Sequence, residues 1–163
     1  MLVTLILSLT LMAALFLMIF AAVALVQDRR LFKSAPKDIQ AAAFEHEEPF
    51  RCARAIGWTF LTIAVLLFPA AFLYGAWDGL RHDFSFWQFA GRFLAMLYLM
   101  KAFDIIFLDW FLLTKSHFYQ HFYPETEGCA GYRQFGFNRK EQLAQIIVFP
   151  FAALFAAWIC TLF

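Results

Sequence analysis

The chain has 163 residues, of which 63% are apolar and 15% charged, against about 25% charged in a soluble domain. That composition excludes an ordinary cytosolic globule, and at roughly 40 residues per spanning helix and loop it leaves room for one membrane domain of about four spans. A formal net charge of +1, with no Arg-rich or aromatic-interleaved stripe, sets nucleic acid aside as a partner.

Leu2 to Val26 carries no charge, and at 1.5 Å per residue it is long enough to cross a hydrocarbon core about 30 Å thick. Arg29, Arg30 and Lys33 follow it rather than precede it, which is the reverse of a cleaved signal peptide, so it reads as the first span. Pro36 then starts a short surface helix carrying Ile39, Ala42, Ala43 and Phe44, which Pro49 ends. The second span is expected over residues 55–77, the third over 86–113 and the fourth over 142–163. Pro69 and Pro150 fall in the middles of spans two and four, where each removes a backbone donor. Asn138 with Glu141 has the pattern of a capping box that starts the fourth helix at Arg139. The third span is expected to run on as a helix to Tyr123, until Pro124 stops it. The fold class that follows is all-α: an integral membrane four-helix bundle, one membrane domain over 1–163, with a long third helix extending into the cytosol.

Orientation follows from the basic residues. The loop between spans one and two holds Arg29, Arg30, Lys33, Lys37, Arg51 and Arg54, and the loop between spans three and four holds Lys115, Arg133, Arg139 and Lys140. The short loop from Asp78 to Gln88 has Arg81 alone, with Arg92 about a turn inside span three. Both basic loops are therefore assigned to the cytoplasm, which leaves the N- and C-termini outside it in an inner or plasma membrane. Trp58 and Trp110 fall at the inner boundary, and Trp77, Trp87 and Trp158 at or near the outer one, in agreement.

Charge inside a span is costly, so Lys101, Asp104 and Asp109 on span three are singled out. At 100° per residue they occupy a wedge about 140° wide, which should face the bundle, a partner subunit or a water-filled cleft. Lys101 and Asp104 form an intramembrane polar pair that either neutralises itself or exchanges protons. Below them, His117 and His121 stand one helical turn apart, the spacing at which two imidazoles share a metal ion. Asp109 lies two turns earlier, and a glycine-bearing loop can return Glu125, Glu127 or Cys129 to them. The first cytoplasmic loop adds Glu45, His46, Glu47, Glu48 and Cys52 on the same side. The catalytic candidates are therefore His117, His121 and Asp109, and the metal-ligand candidates His117, His121, Cys129, Glu47 and Glu48, for one divalent ion: zinc if the thiolate takes part, manganese or magnesium if oxygen ligands dominate. The bland alternative is that these histidines and tyrosines are amphipathic anchors at the headgroup boundary.

Three cysteines at 52, 129 and 160 make no Cys-x-x-Cys pair, which sets a disulfide relay aside. No nucleophile elbow, phosphate-cradling loop or dinucleotide fingerprint occurs. The leading expectation is a cytosol-facing Asp/His/Glu cation site acting on a membrane lipid or other interfacial substrate. The alternatives are a transporter or permeation subunit working through Lys101 and Asp104 in a homo-oligomer, and a non-catalytic scaffold or accessory subunit of a larger membrane complex.

Overall fold

The computed structural model describes the backbone of residues 1–163 and the side chains of all but 32–34. It is all-helical, with no strand among the described residues. The helices are α1 (Leu2–Phe20), continued by a π-helical stretch over Ala21–Val26, α2 (Lys37–Ala42), α3 (Ala53–Arg81), α4 (Phe86–Phe103), continued by a π-helical stretch over Asp104–Lys115, α5 (Phe118–Phe122) and α6 (Arg139–Cys160). Three of them are long and apolar enough to cross a membrane: Leu2–Val26, Ala53–Arg81 and Arg139–Cys160. The segment expected as the third span is not among these three. Its apolar run is interrupted by Arg92, Lys101, Asp104 and Asp109, and its α-helix gives way to π-helix at Asp104.

The expected boundaries hold to within a few residues for the other helices, and α3 and α6 run as helix through Pro69 and Pro150. Asn138 stands at the N-cap of α6, but its side chain makes no capping hydrogen bond. The short helix after Pro36 ends at Ala42 rather than near Pro49, because Ala43 is extended.

One expectation is corrected. The third helix does not continue to Pro124; it stops at Ser116, and α5 is a separate helix with His117 at its N-cap. Ser116 explains the break. Its amide donates to the Phe111 carbonyl at 2.8 Å, its hydroxyl donates to the Leu112 carbonyl at 2.5 Å, and the same oxygen accepts the Phe118 amide at 3.2 Å. The side chain thus takes over bonds the helix would have made, which is how serine competes with helical backbone.

The chain packs as two compact units. The first comprises Met1–Ala14, Leu66–Phe103 and Asn138–Phe163. Its core joins Leu7 and Leu11 of α1, Ala71 of α3, Phe89, Phe93 and Met96 of α4, and Ala153 and Ala157 of α6. The four- and three-residue steps from Phe89 to Phe93 to Met96 keep large side chains on one face of α4. Ala153 and Ala157, one turn apart, make a small-residue face on α6 that lets helices approach closely. An ion pair closes this unit near the turn between α3 and α4: Arg92 Nη1 donates to Asp78 Oδ2 at 2.8 Å and to the Gly75 carbonyl at 2.6 Å, with its guanidinium 4.2 Å from the Phe84 ring centre. Both side chains are nearly inaccessible, and such a pair resists removal of either partner because the other charge would be left buried.

The second unit comprises Leu15–Val65 and Asp104–Phe137. Here Ala21 to Val26 are all buried, packed with Leu61 and flanked by Met18 and Phe60. Gly57 permits this packing, since a Cβ there would sit 2.6 Å from Val26 Cγ2 and 2.9 Å from Leu25 Cβ. Gln27 ends the first helix in a left-handed conformation, its amide reaching back to the Ala22 carbonyl at 3.1 Å. The loop after α5 folds onto α2, where the Gly131 amide donates to Asp38 Oδ2 at 2.6 Å.

Candidate functional site

The polar side chains of the second unit converge on residues 44–46, 54 and 123–125. Ala43 leaves α2 in an extended conformation, so the Phe44 amide is not spent on a helix and donates to Glu125 Oε1 at 3.0 Å. Glu125 lies in a 3₁₀ turn, Pro124–Thr126, in which Pro124 supplies the starting φ. The same Oε1 lies 2.9 Å from His46 Nε2. Partial burial alone would raise the Glu125 carboxyl, but the Phe44 amide and the His46 ring outweigh it and hold the carboxyl below its ordinary range. Glu125 is therefore an acceptor, toward which His46 directs Nε2.

The imidazole is held by two side chains and the His46 backbone by a third. Glu125 fixes its plane, the buried Tyr123 ring meets it edge-on at 5.1 Å between centres, and Arg54 donates to the His46 carbonyl at 2.6 Å. Arg54 also pairs with Glu45 at 3.1 Å. Burial, and then the Glu125 carboxylate, push the Tyr123 hydroxyl above its usual value. Behind this cluster, the buried Thr126 hydroxyl donates to the Tyr123 carbonyl and lies 2.7 Å from the Tyr132 hydroxyl. Burial raises that phenol to about 12. Beside His46 in the chain, Phe44 and Glu45 line a hollow of about 450 Å³ together with Asp28, Arg29 and Arg30.

The residues expected to form the site are placed differently. His117 and His121 remain one turn apart, the His121 amide donating to the His117 carbonyl at 2.9 Å, but both side chains are exposed and the His121 ring packs on Phe122. Glu47 and Glu48 are exposed, and Glu48 accepts the Cys52 amide at 3.1 Å. Cys129 is half-buried with Sγ 3.9 Å from the Asp38 carbonyl, and burial, then Asp38, push its thiol up, away from the thiolate a zinc site requires. Among the described residues no three His, Cys, Asp or Glu side chains stand together so as to hold a metal ion. Asp109 is half-buried and engaged, and together with Asp104 it lies within electrostatic reach of Tyr119, whose hydroxyl burial and then Asp109 push upward. Lys101 is buried in the first unit and Asp104 half-buried in the second, and each is engaged.

In the sequence the two histidines of α5 stand out by their regular spacing, whereas His46 and Glu125 appear only as members of two separate ligand-dense loops. The only signal for the latter was the density of ligands in each loop. No family model matches the chain, nor does any curated protein or solved structure.

Proposed function

We propose that this protein is an integral membrane enzyme of four spans, arranged as a helical bundle with both termini outside the cytoplasm. On this reading its cytosolic side carries out acid–base chemistry on a lipid headgroup or other interfacial substrate. The observation that carries this reading is the His46–Glu125 pair, held at 2.9 Å and locked by the Phe44 amide. A carboxylate that fixes the tautomer of an imidazole, with the other nitrogen basic, is the arrangement a general base needs. His46 Nδ1 would take a proton from water attacking a headgroup ester and return it to the leaving alcohol, while Glu125 stabilises the imidazolium formed between the two steps.

The membrane setting has its own support. All five tryptophans are exposed, as are Leu66, Leu73, Phe151 and Phe155 on the long helices, a distribution suited to lipid rather than to water. A smaller hollow lined by Trp110, Lys115, Arg133 and Phe135 has the aromatic and basic character of a headgroup boundary.

The test is turnover in vesicles of total membrane lipid from the expression host, with the lipids analysed by mass spectrometry. His46→Gln and Glu125→Gln should each lower product formation by about a hundredfold or more while melting within a few degrees of the parent. If the parent forms no lipid product, or His46→Gln is as active as the parent, the reading fails. Transport through Lys101 and Asp104 then takes its place.

A further inference from the structure

The hollow lined by Asp28, Arg29, Arg30, Phe44 and Glu45 holds two carboxylates and two guanidiniums, but neither carboxylate is paired with Arg29 or Arg30. Arg29 and Arg30 open a 3₁₀ turn that begins with the Arg30 amide donating to Asp28 Oδ1 at 2.8 Å, so the adjacent carboxylate is used to shape the turn. Glu45, the other acid of the hollow, pairs with Arg54 at 3.1 Å. Arg29 and Arg30 are exposed, and neither has a carboxylate partner among the described residues. Phe44, on the wall of the same hollow, leaves 63% of its surface open. Two unpaired guanidiniums are matched by an anion that accepts forked hydrogen bonds, and an open aromatic ring beside them is matched by hydrocarbon.

We propose, resting on the acid–base reading of this end of the protein, that its substrate bears a phosphate. Arg29 and Arg30 hold the phosphodiester of a membrane phospholipid in the hollow lined by Phe44 and Glu45, the two residues that precede His46 in the chain. A membrane phosphodiester has two anionic oxygens, one for each guanidinium, and carries the hydrocarbon that the open Phe44 ring matches. The hollow of about 450 Å³ lies within the range of sites that take a small molecule or headgroup, roughly 300–1,000 Å³.

Binding, not turnover, tests this. Phosphatidylglycerol is titrated into the detergent-solubilised protein, and the bound lipid is counted by native mass spectrometry. Diacylglycerol and inorganic phosphate serve as separate probes. The parent should retain phosphatidylglycerol in preference to diacylglycerol, and inorganic phosphate should not displace it. Arg29→Gln and Arg30→Gln should each weaken retention about fivefold. The double change to lysine keeps the charge that sets membrane insertion but loses the planar fork, so it should weaken retention while inserting normally. His46→Gln should bind as the parent does. Equal retention of diacylglycerol, displacement by inorganic phosphate, or unchanged retention in both the glutamine and lysine variants would overturn the proposal. Because His46→Gln reports on turnover and the arginine variants on binding, loss of one behaviour without the other shows which of the two readings has failed.

Discussion

A carboxylate whose charge is stabilised by folding leaves a signature in the pH dependence of stability. The Glu125 carboxyl is held below its ordinary value of 4.5 in the folded chain, so the folded state binds its proton less readily than the unfolded state. Its contribution is therefore fully present above about pH 4.5 and is lost as pH falls through the lower folded value. Glu125→Gln should melt below the parent at neutral pH, and the two melting curves should converge in acid; a gap that stays constant with pH would rule out an ionised Glu125 as its source. The physics of this pair also explains why it was hard to read from sequence. His46 and Glu125 lie 79 residues apart, one in irregular backbone and the other in a single 3₁₀ turn, and no periodicity links the two. His117 and His121 drew notice because regular spacing is visible locally, whereas the structure leaves both imidazoles exposed.

At the scale of elements, close packing rests on residues that hydropathy treats as neutral. Gly57 admits the buried Leu25 and Val26 against α3, with a virtual Cβ only 2.6 Å from Val26 Cγ2 and the Val26 amide nitrogen at 3.2 Å. Gly57→Ala should therefore cost about 1–3 kcal/mol of stability, the usual range for overpacking. Gly91 on α4 is the control: a Cβ there meets nothing within 4 Å, so Gly91→Ala should melt at or slightly above the parent, since glycine weakens helix interiors. Thermal unfolding in one detergent compares the two, and equal gains would show helix propensity rather than contact at work. The long apolar helices were legible because lipid-length runs of apolar residues leave few alternatives. The break at Ser116 was not, since a serine followed by aromatic residues fits a helix as well as it ends one, and the bonds to Leu112 and Phe118 decide the matter only in three dimensions. The π-helical stretches were equally invisible, because an i→i+5 bond leaves the apolar pattern almost unchanged over a turn or two.

For the whole molecule, the decisive quantity is the side of the membrane on which each loop lies. Ten Lys and Arg residues fall in the two loops assigned to the cytoplasm, and the turn between α3 and α4 holds only Arg81. Proteins retain such a bias because basic residues near a span resist translocation. On the proposed four-span reading the chain returns to the side on which it began, and the third crossing is made by the segment beginning at Phe86, despite its charges. In unit one Arg92 is paired with Asp78 and the Gly75 carbonyl, which would let a charged residue sit within that span without facing lipid. If that segment did not cross, three spans would place the termini on opposite sides. Labelling with a membrane-impermeant maleimide separates the cases. In a background with Cys52, Cys129 and Cys160 replaced by alanine, Phe163→Cys at the exposed C-terminus should react in intact cells, as should Met1→Cys after a retained start residue. Cys52, which is exposed in the first basic loop, should react in the otherwise cysteine-free chain only after permeabilisation. Protection of residue 163 with reaction at residue 1 would give three spans, and would remove the Phe86–Lys115 segment from the membrane together with the placement of its charges.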